Sequence, residues 1–87
     1  MYRDFYSEEI TKKLSKLRKK DLALYSKVRK KMDFILENPK HSYNFLHHRM
    51  KGILRVHLGH FVLIFVIDHK SKSVSFEDYD HHDAIYE

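Results

Sequence analysis

Apolar and polar residues alternate strictly at the start of the most hydrophobic stretch of the chain, Leu54 to Ile67 (LRVHLGHFVLIFVI), where Leu54, Val56 and Leu58 interleave with Arg55 and His57. A period of two describes a strand with one buried and one accessible face. Gly59-His60 reads as a two-residue turn. Glycine as its first central residue fits type II′, because the missing Cβ admits positive φ. Phe61 to Ile67 is apolar on both faces and β-branched at Val62, Ile64, Val66 and Ile67, the pattern of an interior strand. If Leu58 pairs with Phe61, then His57 faces Val62, Val56 faces Leu63 and Arg55 faces Ile64. Leu54, Val56, Leu58, Phe61, Leu63, Phe65 and Ile67 then share the core face, and Arg55, His57 and Val62 share the accessible one.

The other elements follow from the same patterning. Tyr2 to Tyr6 reads as a short aromatic strand. Ser7 caps a first helix, Glu8 and Glu9 favour its N-terminal dipole, and Ile10, Leu14 and Leu17 form its apolar stripe until Arg18-Lys19-Lys20 breaks it. Asp21 caps a second, longer helix in which Leu22, Tyr25, Val28, Met32 and Ile35 recur at intervals of three and four. Asn38-Pro39 stops it, since proline restrains the preceding residue and has no amide to donate. His41 to Lys51 is expected to be a loop with a turn of helix around Phe45 and Leu46. Asp68 to Lys72 reads as a turn, Ser73 to Tyr79 as a last, weakly alternating strand, and Asp80 to Glu87 as a tail. The expectation is an α+β layer in the order β-α-α-β-β-β, an antiparallel sheet with a two-helix hairpin packed on one face, formed by residues 1–87 as one domain.

Composition narrows the function classes. The chain has 87 residues, 43% of them hydrophobic, and no cysteine, which excludes disulfides and a thiolate zinc site. Its longest apolar run is too short to span a bilayer, and no secretory signal precedes it, so a cytoplasmic protein without a membrane partner is expected. The net charge is +5, and ten Lys or Arg residues lie between Thr11 and Lys31 against a single Asp. That density points to an acidic partner, either nucleic acid or an acidic protein.

The element order, the basic helical hairpin ending in LENP, the segment LHHRMKG (Leu46 to Gly52), the strand pair LRVHLGHFVLIF and the ending DHHDAIY together resemble the RelE/ParE toxin superfamily over essentially the whole chain. The resemblance is closest to the RelE- and YoeB-like ribosome-dependent mRNA interferases. It implies a RelE-like fold and the toxin of a type II toxin–antitoxin system, an endoribonuclease that cuts mRNA in the ribosomal A site. The implied partners are a RelB-like antitoxin, the ribosome with its rRNA and mRNA, and operator DNA only through the antitoxin complex. No metal or other cofactor is implied. The RNA's own 2′-hydroxyl attacks in line, which requires a base, an acid and cations. Histidine suits the proton transfers and arginine the phosphate.

Carried over by position, Arg55 and His57 match the basic pair of the central strand. His81 and His82 match the terminal His-Arg pair, with His82 where arginine is usual, and Tyr86 matches the C-terminal tyrosine. Lys19, Lys20, Lys30, Lys31, Arg49 and Lys51 are candidate RNA contacts that steer without reading sequence. Val62 falls where many members carry a phosphate-binding arginine, so one expected cation is missing. Each assignment has a structural alternative: Arg55 could pair with an acid on a neighbouring strand, His57 could be a surface histidine, and Tyr86 could simply pin the tail. The doublets His47-His48 and His81-His82 match no ligand spacing. Two functional alternatives remain: a non-catalytic homologue, either a ParE-like gyrase inhibitor or an operon co-repressor, and a plain basic RNA-binding domain.

Overall fold

The computed structural model describes residues 1–47 and 52–86. The elements run β1 (Arg3–Tyr6), α1 (Glu8–Lys20), α2 (Leu22–Glu37), β2 (Asn44–Phe45), β3 (Leu54–Leu58), β4 (Phe61–Asp68), β5 (Ser73–His81) and α3 (His82–Ile85). The α+β order read from the sequence is thus present, with two short additions.

Both long helices start as their capping residues dictate. Ser7 Oγ accepts from Ile10 N at 3.1 Å, and Asp21 Oδ1 accepts from Leu24 N at 3.1 Å. The run Arg18-Lys19-Lys20 does not break α1 as expected but forms its last turn. Cations there face the negative end of the helix dipole, so a basic run favours the end of a helix as much as a loop. Asn38 ends α2 before Pro39.

The sheet order is β1-β5-β4-β3-β2. All neighbours are antiparallel except β1, which runs parallel to β5. The turn of helix expected around Phe45 is instead the edge strand β2, which pairs Asn44 with Arg55 and Phe45 with Leu54. The central hairpin has the expected register: Leu58 opposite Phe61, His57 opposite Val62, and Arg55 opposite Ile64. Gly59 has φ +65° while His60 is not in the left-handed region, a combination that type II′ needs and type I′ does not allow.

The core lies between the helix hairpin and one sheet face. Ile10, Leu14, Val28, Met32, Ile35 and Leu36 meet Leu63, Phe65, Val74, Phe76 and Tyr79 there. Leu54, Val56, Leu58, Phe61 and Ile67 pack against this cluster, completing the predicted core face. The weak alternation of β5 has a local cause. A bulge shifts the pairing from Phe65 opposite Phe76 to Ile64 opposite Asp78, so that Glu77 is extra. The extra residue reverses side-chain parity and keeps Phe76 and Tyr79 on the same face although they are three apart in sequence.

Val62 departs from expectation. The hairpin register puts it on the accessible face, yet it is fully buried and lies outside the helix-side core, as is nearly true of Ile64. On this side α3 folds back against β4 and β5, with the His82 ring on His57, the cross-strand partner of Val62. The C-terminal residues are therefore part of the fold and not a loose tail.

Candidate functional site

Two residues of β3 form the centre of the outer face. Arg55 is held on one side by its Nε, which donates to the Phe45 carbonyl at 3.0 Å. On the other side its guanidinium lies 2.8 Å from His57 Nε2. Guanidinium can only donate, so Nε2 is the acceptor and the ring proton of a neutral His57 sits on Nδ1. Arg55's strand neighbours are Asn44 and Ile64, and it makes no ion pair among the described residues. The alternative that it pairs with an acid across the sheet does not hold.

The C-terminal helix brings further residues to this pair. His81 Nδ1 accepts from Asp83 N at 3.3 Å, capping α3. His82 N donates to the His60 carbonyl at 2.7 Å, tying α3 to the hairpin turn. The His82 ring then stacks on His57, centroids 5.6 Å apart at 28°. Tyr86 lies against His82 at 4.5 Å. Arg55, His57, His82 and Tyr86 thus form one continuous cluster on the outer face, and Val62 is the buried apolar floor beside it.

His81 takes no part in that cluster. It pairs with Phe61, a core-face position, and its ring stacks on His60 at 6.1 Å and edges Phe61 at 5.5 Å. Of the basic candidates, Lys31 lines a cleft together with Arg55 and His57. Lys20 lines a separate cavity of about 600 Å3 between the helices and the end of the sheet. Lys19 and Lys30 are exposed on α1 and α2. Arg49 and Lys51 lie outside the described residues.

A second electrostatic feature borders the cluster. Asp80 is the cross-strand neighbour of Val62, and its carboxylate turns around the free edge of β5 towards α1. Lys13 of α1 reaches Asp80 at 2.7 Å and Asp78 at 2.8 Å, at the part of β5 beyond its pairing with β1. The Lys13 hydrogen bond, helped by the His81 backbone amide, holds the Asp80 carboxyl below the usual carboxylate range. Burial alone would lower the Lys13 pKa, but bonding to both acids outweighs it and the net direction is up. The pair keeps negative charge at this edge of the sheet neutralised. Nothing local in the sequence announces it, because Lys13 and Asp80 meet only once the β5 bulge has set the register.

The site can bind a phosphate through Arg55 and offers imidazoles for proton transfer. No family model matches the sequence. The chain is 49% identical over 79 residues to an uncharacterised protein of Methanosarcina mazei, covering 90% of this chain and 91% of that protein. It is 41% identical over 87 residues to a protein of Methanocaldococcus jannaschii named "Putative toxin RelE4", covering 99% of this chain and 92% of that one. The chain belongs to the RelE toxin family.

Solved RelE structures share its fold. The isolated Escherichia coli RelE toxin superposes with a TM-score of 0.79 at 18% identity, over 93% of this chain and 84% of that one. RelE in the RelE–RelB complex of Pyrococcus horikoshii superposes with a TM-score of 0.68 at 20% identity, over 93% and 94%. The layer of two helices on a five-stranded sheet is therefore the RelE fold.

Proposed function

We propose that this RelE-family chain is the toxin of a type II toxin–antitoxin pair, cleaving mRNA in the ribosomal A site and held inactive by a RelB-like antitoxin. The observation that carries this reading is the convergence of Arg55, His57, His82 and Tyr86 on one sheet face, from two elements far apart in sequence. The relatives and solved neighbours named as toxins or as toxin–antitoxin complexes support the class.

The chemistry follows from the geometry. A 2′-hydroxyl loses its proton and attacks the adjacent phosphorus, the bond to the 5′-oxygen breaks, and that oxygen is protonated, leaving a 2′,3′-cyclic phosphate and a 5′-hydroxyl. Arg55, anchored by Phe45 and His57, presents its other guanidinium N–H groups to the phosphate oxygens, where charge grows in the transition state. His57 is committed through Nε2 to Arg55, whereas His82 has only a 3.6 Å approach of its Nδ1 to the exposed Asp83 carboxylate, so His82 is the better proton-transfer group. Tyr86 braces His82 and offers a face to a base. The exposed lysines of α1 and α2 draw the protein onto rRNA.

Cleavage mapping on programmed ribosomes tests the proposal. The wild type should cut at A-site codons, and Arg55→Ala and His82→Ala should abolish cutting. Intact mRNA with wild-type protein would reject it. One observation favours a second reading, a non-catalytic toxin: Val62 is buried where the resemblance leads one to expect a phosphate-binding arginine. A gyrase supercoiling assay alongside the ribosomal one separates the two.

A further inference from the structure

Beside the Arg55 cluster lies a cleft that the roles assigned so far do not use. Its volume is about 270 Å3, and its walls are Lys31 and Phe34 of α2, His41 and Asn44 ahead of and in β2, and Arg55 and His57 of β3. That is just under the ~300 Å3 at which small-molecule pockets begin, a size for one planar group and its sugar and not for a folded partner.

The aromatic rings along it are unusual in their support. Phe65 is fully buried; Tyr43 meets it edge-on at 5.2 Å, His41 tilts against Tyr43 at 4.9 Å, and Phe34 meets His41 edge-on at 5.7 Å. A chain of rings thus runs from the core to the surface and ends in Phe34, which is 42% exposed, and in the exposed His41. Lys31 Nζ lies 5.5 Å from the Phe34 ring centre. A lone exposed phenylalanine is ordinary. Here the ring is braced by the core, flanked by a lysine, and shares its cleft with Arg55.

We propose that this cleft is a nucleotide subsite, in which one base of single-stranded RNA stacks on the Phe34–His41 wall while its flanking phosphates lie on Lys31 and Arg55. Rigid aromatic faces between cations bind single strands, because every base has a π-face and every nucleotide a charge. Asn44, with an amide that both donates and accepts, stands at the cleft wall where a base edge arrives. The subsite rests on the RNA-cleaving reading above and adds a base contact on the α2 side of Arg55, opposite in origin to the C-terminal Tyr86.

The test is fluorescence anisotropy with a labelled short single-stranded oligoribonucleotide and an abasic strand of the same length, over a series of salt concentrations. Phe34→Ala should weaken binding of the base-containing strand about five-fold or more, the low end of base–aromatic stacking. Its salt dependence should be unchanged, and the penalty should vanish on the abasic strand. Lys31→Ala should instead lower the salt slope by about one on both strands. Phe34→Tyr keeps the ring and should bind like wild type; Phe34→Leu keeps the packing without a π-face and should behave like Phe34→Ala, which guards against a folding defect. Equal affinity of wild type and Phe34→Ala, or a Phe34→Ala penalty that persists on the abasic strand, would overturn the subsite while leaving RNA binding in place. Absence of RNA binding by the wild type at low salt would also overturn the subsite, whereas the cleavage reading stands or falls on the ribosomal assay.

Discussion

Arg55 donates to Nε2 of His57, two residues along the same strand, at 2.8 Å. The bond fixes the tautomer of the imidazole and the direction of the guanidinium together, because both side chains rise from the same face of β3. Arg55 is therefore the positioning residue for His57, and in the proposed mechanism it is the phosphate ligand as well.

Replacement by lysine tests this double role. Arg55→Lys keeps the charge but loses the planar fork that reaches the Phe45 carbonyl, His57 and a phosphate at once. Ribosomal cleavage is expected to fall by about 10²-fold or more, the usual effect of removing one preorganised donor to transition-state charge. Nitrogen-15 shifts of the His57 ring should report a changed tautomer mixture. Wild-type cleavage in Arg55→Lys would show that only the charge matters.

Val62 is better understood as an anchor than as a missing cation. It is buried on the face over which α3 folds. Val62→Ala removes two methyl groups and leaves a gap, so unfolding free energy should drop by about 2 kcal/mol. Amide exchange at Asp83 to Ile85 should speed up, and cleavage should fall as His82 and Tyr86 lose their seat. Val62→Arg should not restore a family-like phosphate site: it should destabilise the fold further, as burying an unpaired charge does. A more active and equally stable Val62→Arg protein would refute the anchor role.

What is legible in the sequence divides along physical lines. The hairpin register, both helix caps, the α1 stripe and the core face of β3 and β4 follow from short-range periodicity and turn chemistry and are present, whereas the α2 stripe holds only from Tyr25 onwards, because Leu22 in its first turn is 62% exposed. That register alone is enough to bring Arg55 and His57 onto one face. Three features cannot be read locally. The β2 pairing depends on a return of the chain from a polar loop, and the β5 bulge masks its own alternation by shifting Tyr79 one place. The third is the folding back of α3, which rests on long-range burial of Val62. For that reason the cluster's C-terminal half follows from resemblance alone, and no local pattern joins Lys31, Phe34 and His41 to Arg55.

Tyr79 carries the one buried side-chain polar atom without a partner among the described residues, its phenolic oxygen, while its ring stacks on Phe61 at 5.1 Å. Tyr79→Phe should therefore raise the unfolding free energy, by about 1 kcal/mol, since it removes an unsatisfied buried hydroxyl and keeps the ring. Burial, with the charges of Asp21 and Asp80, pushes its pKa from 10.0 up to about 12. Between these values the unfolded chain ionises and the folded one does not, so stability falls as pH rises through that window. Tyr79→Phe should flatten this part of the stability curve in denaturant melts between these two values. An unchanged slope would place the alkaline loss elsewhere, with Lys13 the first suspect because its raised pKa acts in the same direction.

At the acid end the decisive pair is Lys13 with Asp80. The Asp80 carboxyl is held below its ordinary value, so its contribution is present above the unfolded pKa and disappears as pH falls through the folded one. Lys13→Ala removes the first cause of that depression, leaving Asp78 and Asp80 without their cation at the end of β5 that β1 does not cover. Stability near neutral pH should drop by about 1 kcal/mol, the scale of a partly exposed pair, and the acid limb of the stability curve should become shallower. A functional consequence follows from position, because Asp80 is paired with Val62 and precedes His81 and His82 at the free edge of β5. An unneutralised carboxylate there repels phosphate, so single-stranded RNA should bind Lys13→Ala more weakly at low salt, and adding Asp80→Asn should recover most of the loss. Failure of Asp80→Asn to rescue would mean that Lys13 touches RNA itself and does not act through the carboxylate it holds.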